Sequence, residues 1–334
     1  MKKISICITS YNRVNELLRC MKSVDSVHYD DFEIVVSEDH SPMREQIKKQ
    51  VEAFAKESKY AIVFNSNENN LGYDNNLAKL ASLASGEYIL YMSDDDAFYP
   101  GALDKIYDFI QENPAGLYFS GIWTPWNTVD RSYKESITIQ PGIESVKQFL
   151  YDPILFSGLT FKREYIKDID ATRFKNLNYF QVYLFYTVMY KYNSYYINTM
   201  LINSISDGEN AYGKVDSSDK NAFLANRNSY FSNLEFHRGL IKAIRLFDED
   251  NGCDALAAFS KAYSLRTVNG LLQEKKKGLK NYRAYWKKLN SLEMKLSPVC
   301  KMYHVIIMIF GAHISGFFFS LLRKIYTSSK RSKK

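Results

Sequence analysis

Four cysteines in 334 residues, Cys7, Cys20, Cys253 and Cys300, form no C-x-x-C pair and no metal-ligand spacing. That scarcity excludes a disulfide-stapled scaffold and a zinc module, and free thiols fit a reducing compartment. Glycine-rich phosphate loops are missing too, with no G-x-G-x-x-G after the first apolar run and no G-x-x-x-x-G-K-[ST]. Neither a dinucleotide fingerprint nor a P-loop is therefore available, and a phosphate-bearing ligand would have to be held by side chains and a metal. The opening apolar run, Ile4–Ile8 behind Met1-Lys2-Lys3, is too short for a signal peptide and reads as a first strand. The chain is expected inside the cell.

What is present is ordinary globular composition, 46% hydrophobic and 24% charged, long enough for one large domain with an appendage. Twenty-six tyrosines and 21 phenylalanines are an aromatic load that suits core packing and the walls of sugar or nucleotide clefts. Charge is unevenly spread. From Leu271 onward 15 lysines and arginines face two glutamates, a net +13, which leaves −6 on the rest of a +7 chain. A basic tail on an acidic body is expected to meet an anionic surface.

The most informative stretch is Tyr88-Ile89-Leu90-Tyr91-Met92-Ser93-Asp94-Asp95-Asp96, an apolar strand running straight into three carboxylates. Open α/β sheets place ligands at the carboxyl ends of their strands. Asp94 and Asp96, two apart, are suited to present hard oxygen ligands to Mg²⁺ or Mn²⁺, completed by substrate phosphates. The competing reading has Ser93 and Asp94 capping the next helix. Upstream, strands at Lys3–Ile8, Phe32–Val36 and Tyr60–Phe64 alternate with a helical pattern at Leu17, Leu18, Met21 and Val24 and with helices beginning near Arg44 and Tyr73. Polar or acidic residues follow each strand, which predicts a parallel, doubly wound sheet.

Four landmarks carry a resemblance: Thr9-Ser10-Tyr11-Asn12-Arg13, Glu38-Asp39-His40-Ser41, Asn69-x-x-Gly72 with Asn76, and Asp94-Asp95-Asp96. In this order and spacing, residues 1 to about 125 resemble the nucleotide-binding half of family 2 glycosyltransferases, which adopt the GT-A fold. The resemblance implies an α/β, Rossmann-like, mostly parallel sheet flanked by helices. It also implies that Thr9, Tyr11 and Arg13 line the nucleotide pocket and that Asp39 contacts base or ribose. Gly72 and Asn76 would shape the loop beneath the nucleotide. Asp94, Asp95 and Asp96 would meet the donor diphosphate, Asp94 and Asp96 through Mn²⁺ or Mg²⁺.

Residues 126–220 are expected to form the acceptor half, with Ile154–Phe161 approaching the acceptor sugar. Trp123 and Trp126 suggest a cleft wall or a packed loop, and the loop Asp207–Lys214 suggests a cover for the donor or a plain connector. Here the sequence departs from the family. An acidic pair is expected about 90 residues after the aspartate cluster, yet Asn178–Phe185 contains no acid. Gln181 takes the corresponding place and cannot serve as a base. Asp168, Asp170, Asp207 and Glu209 are the nearest substitutes.

Residues 221–334 read as a helical, basic, membrane-associating region. Lysines from Lys275 to Lys288 interleave with Leu279, Tyr282, Tyr285 and Trp286, a mixture suited to an anionic membrane surface. No nucleic-acid module accompanies it. The apolar run Val305–Leu322 would span about 27 Å, marginal for crossing, and basic residues flank both ends. An in-plane or re-entrant helix is expected, with a transmembrane segment as the alternative and a buried bundle helix disfavoured by the cationic flanks.

The whole predicts a glycosyltransferase at the cytoplasmic face of the cell membrane. It would move sugar from a nucleotide-diphosphate donor to a lipid-linked oligosaccharide in O-antigen or capsule synthesis. A nucleotidyltransferase is disfavoured by the missing glycine loop. A degenerate, nucleotide- or sugar-binding scaffold is the second reading.

Overall fold

The computed structural model describes residues 3–124, 127–128, 135–205 and 230–331. The first half alternates β1 (Ile4–Ser10), α1 (Val14–Lys22), β2 (Phe32–Glu38), α2 (Arg44–Glu57), β3 (Ala61–Ser66), α3 (Tyr73–Leu83) and β4 (Tyr88–Ser93). It continues with β5 (Asp96–Phe98), α4 (Ala102–Glu112), β6 (Leu117–Thr124), β7 (Asn127–Thr128), β8 (Ile137–Ile139) and α5 (Ile143–Gln148). Then come β9 (Thr160–Lys162), α6 (Phe180–Lys191) and β10 (Ser194–Ser204), with short 3-10 turns at Asp152–Ile154, Arg163–Tyr165 and Thr172–Phe174. The last part is helical: α7 (Tyr230–Asn251), α8 (Ala255–Lys276), α9 (Leu279–Asn290) and α10 (Pro298–Arg331).

One sheet joins the strands in the order β3-β2-β1-β4-β9-β6-β10-β5, with β7 on β6 and β8 on β10. The alternating sequence of β1 explains its place. Ile4, Ile6 and Ile8 enter the core on one face with α1, α2 and α4, while Cys7 enters the other with α3 and α6. Strand β4 divides in the same way, Tyr88, Leu90 and Met92 on the first face, Ile89 and Tyr91 on the second. Strands buried on both sides read as unbroken apolar runs, as parallel strands do. β3, β2, β1 and β4 are indeed parallel, as are β6 and β10. The sheet is nevertheless mixed, because β9 runs antiparallel to both β4 and β6, and β10 pairs antiparallel with β5.

Helix α6 is buried at every position from Phe180 to Met189, so it has no polar face and lies in the middle of the second core. That core continues without a break through Leu234, Ile244, Phe259 and Leu271 to Cys300 and Ile307. The C-terminal helices therefore share apolar packing with the sheet.

Candidate active site

Strand register gathers the landmarks. Thr9 sits beside Ser37 on one side and Ser93 on the other, so the residues following β1, β2 and β4 emerge on one rim. Asn12 and His40, just past β1 and β2, both take positive φ, near +57° and +55°. Such backbone is uncommon outside glycine and marks tight turns at functional rims.

At this rim Arg13 grips the aspartates. Its Nη1 lies 2.8 Å from Asp94 Oδ1 and 3.1 Å from Asp95 Oδ2. The Tyr11 N–H donates to Asp94 Oδ2 at 3.3 Å, and Arg19 Nη2 donates to the Asp95 carbonyl at 3.1 Å. Asp94 is buried, and burial pushes its pKa up to about 7 while Arg13 pulls the other way. Asp96 turns into the short strand β5, and the Ser157 hydroxyl donates to its Oδ2 at 2.5 Å. Ser157 Oγ in turn accepts the Ser93 N–H at 3.0 Å. Burial, then the Asp95 charge, pushes Asp96 up to about 6, with hydrogen bonds from Ser157 and Ser204 opposing. The helix-cap alternative for Ser93 and Asp94 is overturned: β5 intervenes, and α4 begins after Gly101, whose φ is +72°.

Asp39 and Asn76 build the neighbouring wall. Asp39 Oδ1 accepts the Leu71 N–H at 2.7 Å and Asn67 Nδ2 at 3.0 Å, and its Oδ2 accepts the Gly72 N–H at 3.0 Å. Burial raises its pKa against those bonds. Asn76 is held by Ser37, whose hydroxyl donates to Asn76 Oδ1 at 2.6 Å, and its Nδ2 donates to the Ser37 carbonyl at 3.1 Å. Gly72 takes φ +78° to start α3. The two residues thus fix the 67–72 loop against β2.

The later candidates fare differently. Gln181 is buried inside α6; its Nε2 donates weakly to the Ile154 carbonyl at 3.4 Å and its Oε1 has no partner among the described residues. Asp170 is exposed and accepts the Thr172 N–H and hydroxyl, both at 2.9 Å, within its own turn. Asp168 is also exposed. Asp207, Glu209, Lys214 and Trp126 lie outside the described residues, as does the side chain of Trp123.

Three residues at this site escaped the sequence reading. Ser157 and Ser204 cradle Asp96, and a small hydroxyl carries no signal before its partner is known. The third is Asp74, buried in the first turn of α3, whose carboxylate reaches the start of α6. There it accepts the N–H groups of Leu177, Asn178, Tyr179 and Phe180 at 2.8–3.1 Å. The acid absent from α6 is matched by an acid from α3, with its lone pairs committed to the helix terminus.

A divalent ion fits the donor set in kind, since Asp94 and Asp96 supply hard carboxylate oxygens. No group of three or more acidic, histidine or cysteine side chains that could cage an ion exists among the described residues. Protein ligands of this number suit an ion that draws the rest of its shell from a bound diphosphate.

Comparison with known proteins agrees with this arrangement. In solved structures the chain resembles Staphylococcus aureus TarS, at TM-score 0.51 and 16% identity over 72% of this chain and 39% of that one. It also resembles the mannosyltransferase PcManGT from Pyrobaculum calidifontis, solved with GDP-Man and Mn²⁺, at TM-score 0.51 and 12% identity over 97% of this chain and 80% of that one. These likenesses establish the GT-A fold. Among curated proteins it is 25% identical to the GalNAc(5)-diNAcBac-PP-undecaprenol beta-1,3-glucosyltransferase of Campylobacter jejuni, over 59% of this chain and 63% of that one. It is 28% identical to the abequosyltransferase RfbV of Salmonella typhimurium, over 34% of each chain. The chain thus spans less than two thirds of the length of either relative. The model of glycosyl transferase family 2 matches residues 5–173, half of the chain, including Arg13, Asp39, Asn76 and Asp94–Asp96, and the chain belongs to that family.

Proposed function

We propose that the protein transfers a sugar from a nucleotide-diphosphate donor to a lipid-linked glycan during bacterial surface polysaccharide synthesis, at the cytoplasmic face of the membrane. The observation that carries this reading is the convergence of Arg13, Asp39, Asn76 and Asp94–Asp96 on one rim of the parallel sheet. Membership of the family supports the chemistry, and the Campylobacter relative, named for an undecaprenol-linked glycan, supports the acceptor class.

In this reading Thr9, Tyr11, Arg13 and Asp39 bound the nucleoside, and Gly72 with Asn76 shapes the floor. Asp94 and Asp96 would hold Mn²⁺ or Mg²⁺, which offsets negative charge on the departing diphosphate when bound. Arg13 supplies a fixed positive charge beside the same place. The bond between the sugar's anomeric carbon and the phosphate oxygen breaks, the electron pair leaving with the diphosphate, and the acceptor hydroxyl oxygen forms the new bond while its proton passes to water or to the departing diphosphate. Asp74 has its lone pairs on α6, so its part is to position that helix beneath the acceptor.

A second reading, a degenerate nucleotide-binding scaffold in an assembly complex, is favoured by the acid-free segment Asn178–Phe185. Calorimetry with UDP, GDP, CDP and dTDP, with Mn²⁺ or with EDTA, on the wild type and Asp96→Ala tests the donor site. Metal-dependent binding of one nucleotide, lost in the variant, supports the transferase. A folded protein that binds none of the four has no donor site of this kind. Binding without turnover on a lipid-linked acceptor selects the scaffold.

A further inference from the structure

Helix α10 is not straight. Gly311 takes φ +74° and ψ 174°, outside the helical range, and a Cβ built there would meet nothing within 4 Å. The chain folds back at this point. The rings of Tyr303 and Phe319 meet edge to face with centroids 5.0 Å apart, and the Ser315 hydroxyl donates to the Ile306 carbonyl at 3.3 Å. Both pairs are centred on residue 311 or beside it, the register of a hairpin. In a straight helix Tyr303 and Phe319 would lie about 24 Å apart along the axis.

The hairpin is apolar on the outside. Of the 15 large apolar side chains that stand exposed among the described residues, nine fall between Met302 and Leu321. Ile309 is 68% exposed, Phe310 55%, Ile314 56%, Phe317 70% and Phe318 58%. A contiguous surface of this kind is unusual on a monomer facing water only. The inner face is spent on the protein: Ile307, Ala312 and Ser315 are buried, and Gly316 lies against Leu272 of α8.

Beside it stands a basic turn. Lys275 Nζ lies 3.6 Å from Met308 Sδ, and Lys276, Lys277, Lys280 and Arg283 follow, all exposed. His304 stacks on Trp286 with centroids 3.9 Å apart and bonds the Tyr282 hydroxyl at 2.9 Å, which ties the first arm of the hairpin to α9. Apolar wedge and cationic rim are therefore held in fixed relation.

We infer that residues 302–321 form a one-leaflet membrane wedge. The hairpin enters the acyl chains of a single leaflet while the Lys275–Arg283 turn lies on the anionic headgroups. Each arm, Met302–Phe310 and Ala312–Leu321, is about 13–15 Å long, close to half of a roughly 30 Å hydrocarbon core. The chain enters and leaves on the same side. The geometry stands on its own; its purpose, bringing the sheet rim to a lipid-linked acceptor, rests on the function proposed above. Charge complementarity with anionic lipid, from a segment of net +13, selects a membrane over a protein partner as the occupant.

The test uses the full-length chain floated with vesicles of phosphatidylcholine alone or mixed with phosphatidylglycerol. The wild type binds the anionic vesicles. The double variant Ile309→Asp, Phe317→Asp, altering two outward side chains, loses about tenfold or more of that binding. Lys276→Glu with Lys280→Glu makes the remaining binding indifferent to phosphatidylglycerol. Nucleotide binding by both variants stays at the wild-type level, showing that they fold. In a Cys253→Ser background, Ser329→Cys added from outside the vesicles reacts with an impermeant maleimide. Protection of residue 329 would mean a crossing helix and overturn the wedge. So would undiminished flotation of the aspartate variant, or a wild type that ignores vesicles and instead dimerises through these residues. A wild type that floats as expected yet binds no nucleotide leaves the wedge standing and removes the transferase.

Discussion

The Asp74 carboxylate accepts the Tyr179 N–H at 2.9 Å, joining the first turn of α3 to the first turn of α6 across 105 residues of chain. Three further amides, of Leu177, Asn178 and Phe180, share the same carboxylate. Asp74→Ala leaves four donors at a buried helix start without their acceptor and is expected to destabilise the protein by about 3–5 kcal/mol. Asp74→Asn, which keeps one acceptor oxygen, falls between. Urea unfolding measures both. A loss under about 1 kcal/mol for Asp74→Ala would show that solvent replaces the contact and that α6 is held by packing alone.

Arg13 is expected to be needed for more than ligand binding. Its pair with Asp94 is nearly dry, the side chains being 15% and 5% exposed. Arg13→Ala strands a buried carboxylate and costs about 3–5 kcal/mol of stability, together with the nucleotide affinity. Arg13→Lys is expected to recover part of the stability and of the affinity, because one ammonium can meet both carboxylates as Nη1 does. Thermal melts beside calorimetric titration measure the two effects; losses in Arg13→Lys equal to those of Arg13→Ala would show that charge alone does not hold the pair.

Gly158 holds a backbone that only glycine adopts readily. Its φ is +87°, and an added Cβ would stand 2.8 Å from Ile202 Cγ1. Gly158→Ala should destabilise by about 1–3 kcal/mol through strain and overpacking. Because the adjacent Ser157 bonds Asp96, transfer should fall further than stability does. Activity measured well below the melting temperature checks this, and activity that merely tracks the folded fraction would refute it.

Asp250 gives the acid limb of stability. Arg173 meets it with both Nη atoms, at 2.8 and 3.1 Å, and holds its pKa below the ordinary carboxylate value, with the Tyr183 hydroxyl adding a bond at 2.7 Å. A depressed folded-state pKa stabilises above the unfolded value, near 4, and that stabilisation disappears as pH falls through the lowered one. Both groups are partly exposed, so the contribution is below about 1 kcal/mol. Asp250→Asn should lower stability by that amount at neutral pH, flatten the stability curve between about pH 5 and about pH 3, and meet the wild type at the acid end.

The repeated strand–helix units were legible because each strand is an apolar run and each helix an amphipathic one. Lys3–Ile8, Phe32–Val36 and Tyr60–Phe64 lie within a residue or two of the strands that form. The rim was legible for the same reason, since landmarks that follow parallel strands must share one edge. What stayed hidden depends on distant partners. Nothing near Asn178 announces that Asp74 will supply its carboxylate, and nothing in Thr160-Phe161-Lys162 tells an antiparallel strand from a parallel one. The apolar run in α10 was visible, but the fold-back at Gly311 rests on packing against α8 and α9.

The insertion of β9 between β4 and β6 also decides how the aspartate cluster is assembled. Asp94–Asp96 follow β4, whereas Ser157 arrives with β9 and Ser204 with β10, more than 60 and 100 residues later. Three segments far apart in the chain therefore share one carboxylate. The hydroxyl cradle around Asp96 is complete only when the sheet itself is.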